Sequence, residues 1–291
     1  MRSFEWLHPL GKRVATELPS EDRSIVKAIK VLSPVLIYYL INTIIVDIFR
    51  SIAGELIRRG GSASTFIGEH SETIAACISM MGMVIAALCL IPVAKSEYPV
   101  VLPNKGEGSR MLKTILLGVS LAITVNLLMA VTGLSSGSEA YDEVASHQLS
   151  LNPVLGILMY GLISPFAEEL VFRVIVYNRL RRMYGLVMAL VIAPLIFGIY
   201  HMNYVQAIYG TVMGLFLCWI YERYGSALYP YLVHAAANIS VYVVMSIDAI
   251  NKKIGTAVGL GITIAVCLIM IILIAIEKPA GSRETGVARH L

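Results

Sequence analysis

The sequence predicts an all-α, polytopic integral membrane protein with about eight transmembrane helices around a polar cavity within the membrane. The first reason is composition, because 57% of the 291 residues are hydrophobic and only 14% are charged. The mean hydropathy of +0.75 lies well above that of soluble domains. The second reason is a series of long apolar stretches, and the third is a few ionisable side chains inside them. Short alternating segments typical of membrane β-barrels do not occur in the sequence, so helices are predicted.

Eight apolar stretches approach the length of about 20 residues that a helix needs to cross about 30 Å of hydrocarbon. They cover residues 31–49, 74–94, 114–132, 154–176, 186–202, 205–221, 229–247 and 254–276. We expect one membrane domain over residues 1–291. Its predicted parts are a cytoplasmic segment at 1–30, variable helices at 31–153, a core with the functional residues at 154–247, and a last helix with a cytoplasmic tail at 248–291.

The distribution of basic residues predicts the orientation in the membrane. Of the 23 Lys and Arg residues, 17 fall on one side of the predicted spans and 5 on the other, and Arg173 lies within a span. Under the positive-inside rule, both termini are then cytoplasmic. We expect a prokaryotic plasma membrane, since the sequence shows no organelle signal. The net charge of +4 reflects this topology, and no nucleic-acid partner is predicted.

The stretch Ser164-Pro-Phe-Ala-Glu-Glu-Leu-Val-Phe-Arg173 places three charges in an apolar segment. Ionisable side chains in a membrane helix cost several kcal/mol unless they are paired or hydrated. Glu169 and Arg173 are four residues apart on one helix face and are predicted to form a structural ion pair. Glu168 points about 100° away from Glu169 and has no cation in its own turn. It therefore needs another partner.

His201 and His234 are the two histidines that fall inside apolar spans. A predicted turn near Tyr184-Gly185 puts Glu168 and His201 each about 24 Å from that turn, and thus at one depth. Asn238 lies one helical turn after His234, so both side chains face one direction. These depths predict a polar cavity that opens towards the cytoplasmic half of the membrane.

The chemistry of these side chains fits hydrolysis of an amide. A glutamate opposite a histidine can hold and deprotonate a water molecule. A second histidine and an asparagine amide can donate hydrogen bonds to a developing oxyanion.

Three motifs on successive spans resemble those of the CPBP family, which comprises CAAX prenyl endopeptidases and bacteriocin-processing enzymes and is also called the Abi family. The resemblance covers about residues 164–240, and Val174 departs from it by standing where many members have glycine. The motifs are Glu168-Glu169-x-x-x-Arg173, Phe197-x-x-x-His201 and His234-x-x-x-Asn238.

The resemblance implies an intramembrane endopeptidase. In it, Glu168 and His201 would activate the water, and His234 with Asn238 would form the oxyanion site. The supporting residues would be Glu169, Arg173 and Phe197. The implied partners are a peptide or lipidated-protein substrate and membrane lipids, and the oligomeric state is not specified by the sequence.

A metal-free mechanism without a cofactor is expected. Family members have been described both as metalloproteases and as glutamate-dependent proteases, so zinc at Glu168, His201 and His234 is the alternative. However, the sequence lacks the His-Glu-x-x-His motif, and asparagine is a poor zinc ligand.

Two other functions remain open at this stage. The same buried glutamate and histidines could serve a proton- or cation-coupled transporter. A non-catalytic membrane immunity or scaffold protein would use them only for structure. The intact motif set favours the protease.

Overall fold

The structure is a computed structural model that describes residues 24–97 and 107–278. Within these residues, every regular element is helical, which confirms the predicted all-α membrane fold. The predicted N-terminal segment and C-terminal tail fall mostly outside the described residues.

The α-helices of the described residues are separated by short turns and by two π-helical segments. In chain order they are α1 (Ser24–Arg59), α2 (Ser62–Glu69), α3 (Ser71–Glu97), α4 (Gly108–Val131), α5 (Glu139–Ser150), α6 (Pro153–Gly156), α7 (Ser164–Glu169), α8 (Asn178–Tyr200), α9 (Tyr204–Tyr224), α10 (Leu228–Ser246), α11 (Asp248–Ile254) and α12 (Ala257–Ile276). The first π-helical segment, Ile157–Ile163, joins α6 to α7, and the second, Leu170–Tyr177, joins α7 to α8.

Seven helical stretches of the described residues are long and apolar enough to cross a membrane. The longest runs from Pro153 to Tyr200 and contains the fourth predicted span and all but the last two residues of the fifth. Gly185 interrupts it with a φ of 82°, a left-handed conformation that favours glycine. The chain turns back there, since the ring of Phe172 lies 5.0 Å from that of Phe197 and 5.2 Å from that of Tyr200. The eight predicted segments are therefore found as seven stretches, one of which is a hairpin.

Helix α4 packs against α10 and α12, α1 packs against α3, and the α8 arm of the hairpin packs against α9. Large aliphatic side chains are exposed along α1 and α12. In water such faces would be unfavourable, but lipid can cover them.

One end of the bundle, which we call the basic face, is held together by ion pairs between helix ends. Glu97 at the end of α3 pairs with Arg179 beyond the second π-helical segment at 2.8 Å, and Glu222 near the end of α9 pairs with Arg181 at 3.2 Å. Arg223 donates to the carbonyls of Ile274 and Ala275, both at 2.6 Å, near the end of α12. These contacts put the ends of α3, α9 and α12 and the Gly185 turn on one side.

Glu277, just after α12, belongs to the same face. Burial raises its pKa, but hydrogen bonds from Tyr224 and Lys113 and the charge of Arg110 outweigh this effect, so the pKa is lowered from its usual value. The carboxylate stays ionised and ties α12 to α4 and α9.

Gly118 allows α4 and α10 to approach closely next to the functional region. A Cβ atom at Gly118 would lie 2.3 Å from the backbone oxygen of Val233, the residue before His234. We expect Gly118→Ala to destabilise the protein by about 1–3 kcal/mol, because a backbone atom cannot move aside as a side chain can. Thermal unfolding of the purified protein in detergent measures this effect.

Gly54→Ala is the matched control, since a Cβ at Gly54 in α1 would meet nothing within 4 Å. An unfolding temperature for Gly118→Ala equal to that of the control would contradict the close packing of α4 on α10.

Candidate active site

The two adjacent glutamates lie on α7, a six-residue α-helical turn between the two π-helical segments. In the first segment the N–H of Ser164 bonds to the carbonyl of Met159, five residues earlier. Such wide turns are rare and occur often at functional sites. They rotate side chains away from the positions that regular α-helical spacing predicts.

Asn238 completes the hydrogen bonding of the first π-helical segment. The next hydrogen bond of this pattern would run from the N–H of residue 165 to the carbonyl of Tyr160. Pro165 has no N–H, so that carbonyl lacks its backbone donor. The Nδ2 of Asn238 donates to that carbonyl at 2.9 Å. The amide thus replaces a missing backbone donor, and its second N–H remains for a bound molecule.

Glu168 is 7% exposed and is held by two side chains. The hydroxyl of Ser164 donates to Oε1 at 2.5 Å. The other oxygen, Oε2, lies 3.7 Å from Nε2 of His234, too far for a direct hydrogen bond. One carboxylate oxygen is therefore fixed, while the other remains available to a molecule in the cavity.

Glu169 joins Arg173 and His234 behind Glu168. Its Oε1 lies 3.0 Å from Nη1 of Arg173 and accepts a hydrogen bond from Nδ1 of His234 at 2.7 Å. Since a carboxylate only accepts, Nδ1 of His234 carries the hydrogen and Nε2 faces Glu168. The predicted pair of Glu169 and Arg173 is confirmed, and it extends to the histidine of α10.

Arg173 is 1% exposed and almost fully enclosed. None of its nitrogens has hydrogen-bond geometry to an acceptor within residues 24–97 and 107–278, so the contact with Glu169 is an ion pair without a directed hydrogen bond. Its guanidinium lies 4.2 Å from the ring centre of Phe197, where a cation–π interaction contributes.

Phe197 is the aromatic centre of the site. Its ring lies edge-on to His201 at 5.0 Å and to His234 at 5.6 Å between ring centres. One side chain therefore contacts both histidines and Arg173, which gives the predicted supporting residue a steric role.

His201 caps the end of α8, and its Nδ1 lies 2.9 Å from the carbonyl of Phe197. Because a carbonyl only accepts, Nδ1 is the protonated nitrogen, and Nε2 of the neutral ring is left as an acceptor. The next residue, Met202, has a φ of 62°. This left-handed conformation is strained for a residue with a side chain and closes the turn to α9.

A cavity of about 290 Å³ joins the site residues. All four predicted catalytic residues line it: Glu168, His201, His234 and Asn238. Glu169 and Arg173 are not part of the lining and lie behind it. The remaining lining comes from α4, α5, the first π-helical segment, Ser164 of α7, Phe197 of α8, α9 and α10, and it is mostly apolar or neutral.

The cavity lies towards α5, at the end of the bundle opposite the basic face. Four residues of α5 line it, with helical spacing at Tyr141, Val144, Ala145 and Gln148. With both termini cytoplasmic, as predicted, this end would face outwards, so the predicted orientation and the predicted opening on the cytoplasmic side do not agree with each other. Glu168 is near the middle of its span, so its depth could not decide the side. Towards the basic face, buried hydrogen bonds such as Tyr177 to Glu222 at 2.8 Å fill the space instead.

The structure groups the predicted residues differently from the sequence analysis. Among the described residues, no ion-pair contact joins Glu168 to His201; the histidine nearest to Glu168 is His234. His201 faces the same cavity from another side. His234 contacts both glutamates, and Asn238 is held by Tyr160.

Sequence reasoning missed the roles of Ser164 and Tyr160. Ser164 lies four residues before Glu168, so the spacing rule that found Glu169 and Arg173 would also have found this contact. That the carbonyl of Tyr160 needs a donor from another helix could be inferred only from the missing N–H of Pro165 together with a π-helical turn, and no sequence signal marks that turn.

Zinc at Glu168, His201 and His234 finds no support in the geometry. No group of three or more His, Cys, Asp or Glu side chains within residues 24–97 and 107–278 is arranged to hold a metal ion. His234 is engaged by Glu169 through Nδ1, and His201 stands apart from Glu168. The donor set therefore does not fit this metal.

Comparison with known proteins supports the interpretation of the motifs. Residues 150–240 match the family described as type II CAAX prenyl endopeptidase Rce1-like. The matched range contains every predicted site residue. A search of curated proteins and a search of solved structures gave no match. Residues 150–240 are thus similar to the Rce1-like type II CAAX prenyl endopeptidases.

Proposed function

We propose that this integral membrane protein is an intramembrane endopeptidase that hydrolyses a peptide bond in a membrane-associated peptide or lipidated protein. The similarity of residues 150–240 to type II CAAX prenyl endopeptidases supports a protease. The observation that carries the proposal is Glu168, a buried carboxylate that has no lysine or arginine partner among the described residues, faces a cavity and lies 3.7 Å from an imidazole nitrogen. That gap fits a water molecule that contacts both groups.

In the proposed first step, Glu168 takes a proton from the water while the oxygen attacks the substrate carbonyl carbon. Ser164 holds Oε1, so Oε2 is the oxygen that accepts the proton. His201 can orient the water, because Nε2 of its neutral ring is an acceptor. The proton then passes from Glu168 to the leaving nitrogen as the C–N bond breaks.

The proposed oxyanion site uses His234 and Asn238, which lie one helical turn apart on α10. The second N–H of Asn238 can donate into the cavity, as can Nε2 of a protonated His234. Glu169 fixes the orientation of the His234 ring through Nδ1. Glu169 is therefore a positioning residue rather than a group that touches the substrate.

The distribution of Lys and Arg supports an orientation with both termini in the cytoplasm, and we propose a prokaryotic plasma membrane because the sequence shows no organelle signal. The basic face would then be cytoplasmic. The cavity would open on the outer side, under α5, so the substrate segment would be presented there.

Glu168→Gln should lower the rate of peptide cleavage by about 10²–10⁴-fold, because the amide cannot accept the proton from water. The measurement is cleavage of internally quenched peptides by the purified protein, with a metal chelator in parallel samples. The chelator should have no effect.

Glu143→Gln is the matched control, since this exposed glutamate on α5 points away from the cavity. Cleavage by Glu168→Gln at the wild-type rate would reject the mechanism. Absence of cleavage by the wild type together with proton or cation flux in liposomes would favour a transporter.

Glu169→Ala should destabilise the protein more than Glu168→Ala does. It leaves Arg173 as an unpaired buried charge, which costs about 3–5 kcal/mol, whereas Glu168 pairs with no arginine or lysine among the described residues. Thermal unfolding compares the two variants. A double variant, Glu169→Ala with Arg173→Met, should recover part of the lost stability, because it also removes the unpaired charge. Equal unfolding temperatures for Glu169→Ala and Glu168→Ala would contradict the structural role of the pair of Glu169 and Arg173.

The orientation predicts which sites a membrane-impermeant maleimide reaches in intact cells. Ser146→Cys, exposed on α5, should be labelled, whereas Tyr184→Cys, at the hairpin turn, should be labelled only after permeabilisation. The wild type gives the background from its own four cysteines. The reverse pattern would place the termini outside and the cavity on the cytoplasmic side.

A further inference from the structure

Helix α5 covers the cavity but adds no buried residue to the core of the bundle. Its half-buried residues are the four that line the cavity: Tyr141, Val144, Ala145 and Gln148. The other residues of α5 are exposed. A helix that is fixed in a protein usually buries an apolar stripe against its neighbours. The packed face of α5 is instead the face that lies over the cavity.

The C-terminal end of α5 is anchored to the bundle. Leu151, the residue after the helix, is 7% exposed and forms an apolar cluster with Ala76 of α3 and Met159 of the first π-helical segment. The hydroxyl of Tyr242 in α10 donates to the carbonyl of Leu151 at 3.3 Å. Three elements therefore hold this end in place.

Glu72, in the first turn of α3, adds two polar contacts at the same end. Its Oε2 accepts a hydrogen bond from the hydroxyl of Ser150 at 3.4 Å and lies 4.0 Å from Nδ1 of His147. The side chains of His147 and Glu72 are 63% and 54% exposed, and exposed pairs of this kind contribute at most about 1 kcal/mol. Both contacts belong to the last turn of α5, so they do not hold its first turn.

The N-terminal end of α5 follows a turn that contains two glycines. Gly133 and Gly137 have φ values of 73° and 77°, and a Cβ atom at either one would meet nothing within 4 Å beyond its chain neighbours. Among the described residues, the backbone N–H groups of residues 132–136 bond within this turn or back to α4, as from Leu134 to the carbonyl of Met129 at 2.9 Å. A glycine-containing segment without bonds to another helix can change its backbone angles at low cost.

The proposed reaction needs more room than the covered cavity provides. The substrate of an endopeptidase continues on both sides of the scissile bond, whereas the cavity holds about 290 Å³, which is at the small end for ligand sites. A bound chain must therefore displace part of its cover. Without substrate, the position of α5 over a mostly apolar lining is favourable, because that lining is kept from water.

We infer that α5 is a lid whose N-terminal end swings away from the bundle about the anchor at Leu151, and that this movement admits the substrate segment to Glu168. The inference rests on the proposed endopeptidase function and describes how the same site is reached. The turn at residues 132–137 supplies the freedom of movement, and the contacts of Leu151 and Glu72 keep the other end in place.

Spin labels on the full-length protein in lipid nanodiscs test the lid, with the four native cysteines replaced by alanine. The moving pair is Ala140→Cys, exposed in the first turn of α5, with Tyr184→Cys, exposed at the hairpin turn on the basic face. The matched control pair is Leu149→Cys, exposed in the last turn of α5, with the same Tyr184→Cys. Both proteins also carry Glu168→Gln, so that a bound peptide is retained.

Distances between the labels are measured by double electron–electron resonance with and without a synthetic peptide that has a leucine- and alanine-rich core and polar ends. We expect the peptide to shift the moving pair towards a longer distance and to leave the control pair unchanged. An unchanged distribution for the moving pair with peptide bound, or an equal change in both pairs, would overturn the inference.

Fluorescence anisotropy of the labelled peptide shows whether it binds. If it does not bind, the distances of the substrate-free protein decide: a second, longer distance for the moving pair alone supports the lid, and a single distance overturns it. If the wild type cleaves no peptide, the proposed function fails, while the distances still decide whether α5 moves as a lid.

Discussion

The site depends on the buried ion pair between Glu169 and Arg173. Either charge alone would be costly in a membrane helix, and together they occupy a space from which water is almost excluded, with exposures of 2% and 1%. The carboxylate oxygen of Glu169 that pairs with Arg173 also binds His234, so the pair links α7 to α10. Because Glu169 pairs with Arg173, the adjacent Glu168 has no lysine or arginine partner among the described residues and faces the cavity.

A second link to α10 comes from the backbone of the first π-helical segment, which leads into α7. In a bilayer, carbonyl and N–H groups must find partners within the protein. Pro165 and the first π-helical segment deprive the Tyr160 carbonyl of its ordinary donor, and Asn238 supplies one. His234 and Asn238 thus anchor α10 at two points, which fixes the distance across which substrate and water would be held.

The cavity is asymmetric because the two ends of the bundle are packed differently. Ion pairs and buried tyrosines close the basic face, as between Tyr177 and Glu222. At the other end, the short helix α5 lies over the space, and its acidic face is exposed.

The sequence by itself determined the membrane fold, the hairpin at Gly185, the pair of Glu169 and Arg173, and the set of residues around the cavity. These features depend on local quantities: apolar length, the conformational freedom of glycine and helical spacing. The tertiary structure alone decided that His234 rather than His201 lies nearest to Glu168, that Asn238 supports the carbonyl of Tyr160, and that the cavity lies towards α5. Contacts between helices depend on rotation and packing, and the π-helical turns change that rotation in a way that regular spacing does not reveal.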